Sequence, residues 1–487
     1  MWVAADHRLA LRQENSPLNL SLTIAALLIS SFFAGPSLAD DADRHLPRVD
    51  PALFGLELPE APIALGKGSR VLTVDANGRQ VVARLYLAAG EQAVVLLPDG
   101  QLQTRAAQTL QPTERPFVPQ SPYDVAQELT RSGKLEGYKI KTTRKYAYIY
   151  NTSEEFAVVS SRILESMLPA LIDFAKNQKI DAVEPELPLV VVMFRTVADY
   201  QEYRRMPAGT VSYYNVLDNR VAVVEESAFS RAGADLALGQ SLSTIAHEGT
   251  HQILHNIGVQ HRLSVWPMWL SEGLAEYLAP TTTNRALRWK GAGQVNDLRM
   301  FELERLLQSR PVENADGALI DNTVLAARLT STGYASAWAL THFLMHHHRT
   351  QFQKILQDAS KLGPLEGDMQ VIPPGHIPGN RALFRKQFGD DSAGIEKRLL
   401  LHLKNQKYDP PFAEFLHYVG MVQSGSGRMI RRDASVFLMR DDAQQWTRDM
   451  IDRLPESSRD SAQSNVQRFA NRAAAEQYSA QWLKSGK

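Results

Sequence analysis

Two apolar stretches with ionisable residues at their centres constrain this chain more than any other feature. The first, Ser243 to Gly258, is STIAHEGTHQILHNIG and sets His247, Glu248 and His251 among Ile245, Ile253, Leu254 and Ile257. Apolar residues at three- and four-residue steps predict a helix. Ser241 or Ser243 would cap it, and Gly258 would end it. Residues four apart share a helix face, so His247 and His251 converge on one point with Glu248 beside it. At this spacing two imidazoles can grip one metal ion while a carboxylate stays free to act as a base. The plainer alternative is two histidines on a helix face next to an exposed glutamate.

The second stretch, Trp266 to Pro280, is WPMWLSEGLAEYLAP. Leu270, Leu274 and Leu278 form an i, i+4, i+8 core stripe, which leaves Glu272 and Glu276 together on another face. An exposed helix uses such carboxylates for solubility, but this one is otherwise apolar. Hydrolytic zinc sites keep three protein ligands and one open position, so a third ligand is needed. One known arrangement puts a third His six residues after the second, where this chain has Ile257. His255 lies a further turn along, too far for a compact site. Glu272, on the following helix, is the alternative. The 487 residues include no cysteine, so disulfides, thiolate zinc sites and a cysteine nucleophile are excluded. Any zinc here uses His and carboxylate ligands.

HEGTH followed by WLSEGLAEYL resembles the gluzincin metallopeptidases, particularly the peptidase-MA-like group. The resemblance runs from about residue 144 to 405 and is carried by the two metal helices. It implies a thermolysin-like zincin domain, Zn2+ held by His247, His251 and Glu272, and Glu248 as the general base that takes a proton from the attacking water. It also implies that Glu276, one turn after the ligand, orients a ligating His. The segment STGYASAWALTHFL is similar to the family's downstream helix and makes Tyr334 the candidate oxyanion donor, with packing as its alternative; Tyr277 is the reserve. No G-x-M-E-N exopeptidase motif is seen upstream. The substrate implied is a peptide or protein. The alternatives are a zinc amidase acting on cell-wall material and a catalytically silent scaffold.

The rest of the chain supplies organisation. Residues 19–34, NLSLTIAALLISSFFA, precede Ser37-Leu38-Ala39 and two aspartates, which predicts a signal peptide over 1–39 and export to the periplasm or beyond; an uncleaved membrane anchor is the alternative. Residues 40–62 are Pro-rich and read as a linker. Alternating β-formers around Asn77-Gly78 and Asp99-Gly100 predict hairpins and a small barrel over 63–115. That barrel resembles a Src-homology-3-like module, either a spacer or a binder of wall material or peptide. A metallopeptidase-like domain is expected over 123–405, α+β overall, with strands preceding helices. A C-terminal extension, 406–487, is expected to be mostly helical. Tyr213 and Tyr214 fall on a strand that could bind extended substrate or simply pack. His346, His347 and His348, with His342 a turn earlier, could suggest a second metal site, but no carboxylates accompany them and they read as a solvated helix end; His255 and His261 read as a helix-face and a loop residue. Fifty-three basic residues balance 53 acidic ones, which gives no electrostatic footprint for nucleic acid.

Overall fold

The computed structural model describes residues 44, 45, 48–75, 78–131, 133–227, 234–282, 287–367, 379–425 and 430–485; the expected signal peptide lies outside them. The first sheet is antiparallel: β1 (Ile63–Leu65), β2 (Arg70–Val74), β3 (Gln80–Ala89), β4 (Gln92–Leu96), β5 (Leu102–Ala106) and β6 (Gln111–Pro112). Its order is β5-β4-β3-β2-β6, with β1 also on β3. The turn at Asp99-Gly100 closes through Leu97 N to Gln101 O, with Gly100 at φ 91°, a conformation glycine adopts at little cost. Among the described residues no pairing joins β5 to β6, so the expected barrel appears as an open path of six strands.

The stretch read as a linker is packed where it is described. Pro51–Phe54 form a 3-10 turn. Val49, Phe54 and Leu56 share a core with Leu87 and Val94 of the sheet and with Leu263 and Leu365. The prolines there alternate with apolar residues that need cover, and composition alone hides this. Arg262 fastens the same junction, donating to the carbonyls of Val216, Gly100 and Leu217 at 2.6, 2.7 and 2.8 Å.

A second sheet follows α1 (Pro122–Arg131). Its elements are β7 (Lys139–Thr142), β8 (Tyr146–Tyr150), α2 (Glu154–Asn177), β9 (Leu189–Phe194), α3 (Val197–Tyr203), β10 (Ser212–Asn215) and β11 (Arg220–Val224). The order is β10-β11-β9-β8-β7. The three central strands are parallel, and the two edge strands antiparallel. Tyr146, Tyr148, Leu189, Val191 and Met193 face the large helical core. Ala147, Ile149, Val190, Val192 and Phe194 face a smaller core with Val125 and Tyr200. Burial on both faces explains the unbroken apolar run LPLVVVMF.

Eight helices come next: α4 (Ala234–Asn256), α5 (Met268–Leu278), α6 (Asp297–Ser309), α7 (Ala318–Leu325), α8 (Ser331–His347), α9 (Arg349–Ser360), α10 (Gly379–Phe388) and α11 (Ser392–Lys404). The first begins well before Ser241, so neither expected serine caps it. The Ser241 hydroxyl instead donates to the Glu225 carbonyl at 3.0 Å. The C-terminal segment departs most from expectation. It contains β12 (His417–Ser424), β13 (Arg431–Phe437), α12 (Arg440–Asp452), α13 (Glu456–Arg459), β14 (Gln463–Phe469) and α14 (Arg472–Lys484), with sheet order β13-β12-β14. β14 is a largely exposed strand, QSNVQRF, and lacks the apolar alternation that would have identified it. Its pairing is supplied by the apolar central strand β12. The described residues are thus mixed α and β, with sheets before, beside and after the helices.

Candidate metal centre

Two glycines let the helices of the site approach closely. A Cβ on Gly249, inside HEGTH, would lie 2.1 Å from Leu164 Cδ2 of α2. A Cβ on Gly273, beside Glu272, would lie 2.5 Å from both Ala337 O and Thr341 Oγ1 of α8. α4 therefore lies tight against α2, and α5 tight against α8. On α5 the residues from Trp269 to Leu278 are buried apart from Ser271, carboxylates included.

This packing brings together the donors from α4 and α5. His247 Nε2 is 3.0 Å and His251 Nε2 3.4 Å from Glu272 Oε2, and the two imidazole nitrogens are 3.3 Å apart. An ion held tetrahedrally by bonds of about 2.0–2.1 Å has ligand atoms about 3.3 Å apart, so the three atoms have the spacing of one face of such a polyhedron. The donor set therefore fits a metal ion. Electrostatics agree. Burial resists protonation of His247, yet Glu276 and Glu272 lift it to about 10. Burial resists ionisation of Glu272, yet His251 and His247 hold it well below the usual carboxylate range. A cation at this point would meet a carboxylate already charged.

Glu276 supports the arrangement from behind. Its Oε1 lies 3.0 Å from His247 Nδ1, off the line of a straight hydrogen bond. It accepts from Arg299 Nη2 at 2.5 Å and from Asn296 Nδ2 at 3.0 Å. Burial raises Glu276, but Arg299 and His247 outweigh it and hold the carboxyl at about 2. Arg299 also donates to Glu302 at 2.8 Å, and Glu302 accepts from Ser331 at the start of α8 at 2.8 Å. The chain of contacts thus runs from the His247 ring to the helix that carries Tyr334.

Glu248 is 4% exposed and accepts from Ser212 Oγ at 2.8 Å. Ser212 lies on β10, which among the described residues pairs only with β11. Tyr334, half-buried in the first turn of α8, sets its ring edge-on to His247 at 6.0 Å, with the Arg299 guanidinium 5.5 Å from its centroid. Burial, then the charges of Glu272, Glu248 and Glu276, raise its phenol, so it remains a hydroxyl donor at neutral pH.

The other sequence candidates lie elsewhere. Tyr277 faces Phe174 and His342 at 6.2 and 6.1 Å, in the core. Tyr213 packs in the small core. Tyr214 donates to Asn219 at 2.9 Å and stacks on His255 at 5.4 Å. His255 Nδ1 is engaged by the Gln260 carbonyl at 3.1 Å, outside the donor triangle, and His261 is an exposed turn residue. His346 and His347 are exposed at the end of α8, but His342 is 1% exposed and meets His402 of α11. Sequence reasoning missed Ser212, Asn296, Arg299 and His402. Arg299 could only suggest an exposed i, i+3 partner for Glu302, and nothing local marked the other three.

No helix among the described residues is long and apolar enough to cross a membrane. No curated protein matches the chain. Residues 241–366 match a family described as a protein of unknown function, DUF1570, and that stretch holds His247, Glu248, His251, Glu272, Glu276, Arg299 and Tyr334.

Proposed function

We propose that this chain is an exported zinc-dependent peptidase of the gluzincin type, with His247, His251 and Glu272 as the zinc ligands. The observation that carries the reading is the triangle of two imidazole nitrogens and one carboxylate oxygen with edges of 3.0, 3.3 and 3.4 Å, flanked by Glu248. Bound zinc would polarise a scissile carbonyl and make water more acidic. Glu248, aimed by the Ser212 hydroxyl, takes the proton from water and passes it to the leaving amine. Tyr334, kept protonated, donates to the oxyanion that develops. Glu276, with Arg299 and Asn296, fixes the orientation of His247.

The edge strand favours an extended peptide as substrate. The Val224 N–H bonds the Val211 carbonyl at 3.0 Å, so by antiparallel alternation 211, 213 and 215 face β11. The backbone groups of Ser212 and Tyr214 then face outward, where a peptide can add as a further strand. Metal analysis and a peptide-library cleavage assay test the proposal together. Wild type should hold zinc that His251→Ala loses, and Glu248→Gln should keep zinc but lose cleavage. A wild-type protein that takes up no zinc, or a Glu248→Gln variant that still cleaves, refutes it.

A further inference from the structure

The fold assembles a second cluster of imidazoles, on the opposite end of α8 from Tyr334. His342 Nδ1 lies 2.9 Å from His402 Nε2, although 60 residues separate them. The ring of His346, one turn along α8, is 4.2 Å from that of His342 and 5.6 Å from that of His402. One ligand atom from each of the three falls within 4.8 Å of the others.

The far side of two of the rings is also held. The His342 carbonyl accepts from His346 Nδ1 at 2.7 Å. His402 Nδ1 is 2.9 Å from His347 Nε2. Metal-binding histidines characteristically have the second nitrogen fixed in this way, which sets the tautomer and turns a lone pair toward the ion. The 2.9 Å gap between them needs to widen by roughly 0.4 Å to reach the ~3.3 Å that two zinc-bound nitrogens require. His346 is exposed and gives the ion a way in.

We propose that His342, His346 and His402 form a second metal site, which takes a borderline divalent transition metal such as Zn2+, Ni2+ or Cu2+ and clips α8 to α11. A donor set with no carboxylate suits those ions and disfavours Mg2+ and Ca2+. The inference does not depend on the peptidase reading. The clip at the far end of α8 would steady the helix whose first turn carries Tyr334.

The full chain bearing His247→Ala and His251→Ala, stripped by chelator, isolates the second cluster. Titration with Ni2+ or Zn2+ should show one ion bound per chain, with Kd on the order of 1 µM or tighter, and a rise in Tm. Adding either His402→Gln or the surface change His346→Gln should weaken binding at least about a hundredfold. Should the double-alanine chain fold poorly, metal content supplies the same answer: two ions in wild type and one in His346→Gln. Absence of stoichiometric uptake, or uptake that either glutamine variant leaves unchanged, overturns the site and leaves only a hydrogen-bonded histidine cluster.

Discussion

Replacing Gly273 by alanine should damage metal binding more than stability. The added methyl would meet Ala337 O and Thr341 Oγ1 at 2.5 Å and Ala337 C at 2.9 Å, where ordinary contact begins at 3.4 Å, so α5 and α8 must part by about 0.9 Å. The obstacle is mostly backbone, which cannot rotate aside. Overpacking of this kind costs about 1–3 kcal/mol. The better helix propensity of alanine offsets roughly 1 kcal/mol, for a net loss of ~0–2 kcal/mol. Glu272 is the adjacent residue and moves with the helix. Metal–ligand distances tolerate only about 0.2 Å, so zinc affinity should fall by at least tenfold. Chelator competition measures the affinity, and urea unfolding of the metal-free protein measures the stability. Gly249→Ala is the contrast. There the clash is with the tip of Leu164, 2.1 Å away, which can turn aside, so the loss should be smaller. A Gly273→Ala protein with wild-type zinc affinity and unfolding midpoint would show that the close approach does not position the ligand.

Three further outcomes are expected. Arg299→Met leaves Glu276 buried with only Asn296 and His247 opposite it and should cost about 3 kcal/mol by denaturant unfolding; a loss below about 1 kcal/mol would mean that Asn296 and His247 suffice. Ser212→Ala removes the hydroxyl that aims Glu248 and should slow peptide cleavage by roughly tenfold with zinc content unchanged, whereas unaltered cleavage would leave the serine a packing role. His255 is pushed down to about 3 by burial, then by His251 and Arg262. Its folded pKa is below its unfolded value, so the stability it allows is complete above about pH 6.5 and is lost as pH falls toward 3. Between pH 6 and 4.5, unfolding free energy should therefore fall about 1 kcal/mol per pH unit more steeply in wild type than in His255→Gln. Parallel slopes would disprove that histidine's part.

Local spacing by itself decided the helix carrying His247, Glu248 and His251, and the helix carrying Glu272 and Glu276. A four-residue step is one helical turn whatever the rest of the chain does. It also decided the turn at Asp99-Gly100, where Gly100 adopts positive φ. Tertiary structure alone decided which side chains stand behind those helices. Ser212 comes from an edge strand 36 residues before Glu248, and Arg299 from a helix 23 residues after Glu276. His402 reaches His342 across 60 residues. The polar strand β14 was hidden for a related reason, since it takes its pairing from the distant strand β12. Periodicity reports which face of an element is buried, but the partner it meets depends on how separate elements pack, and that is written in no single stretch of chain.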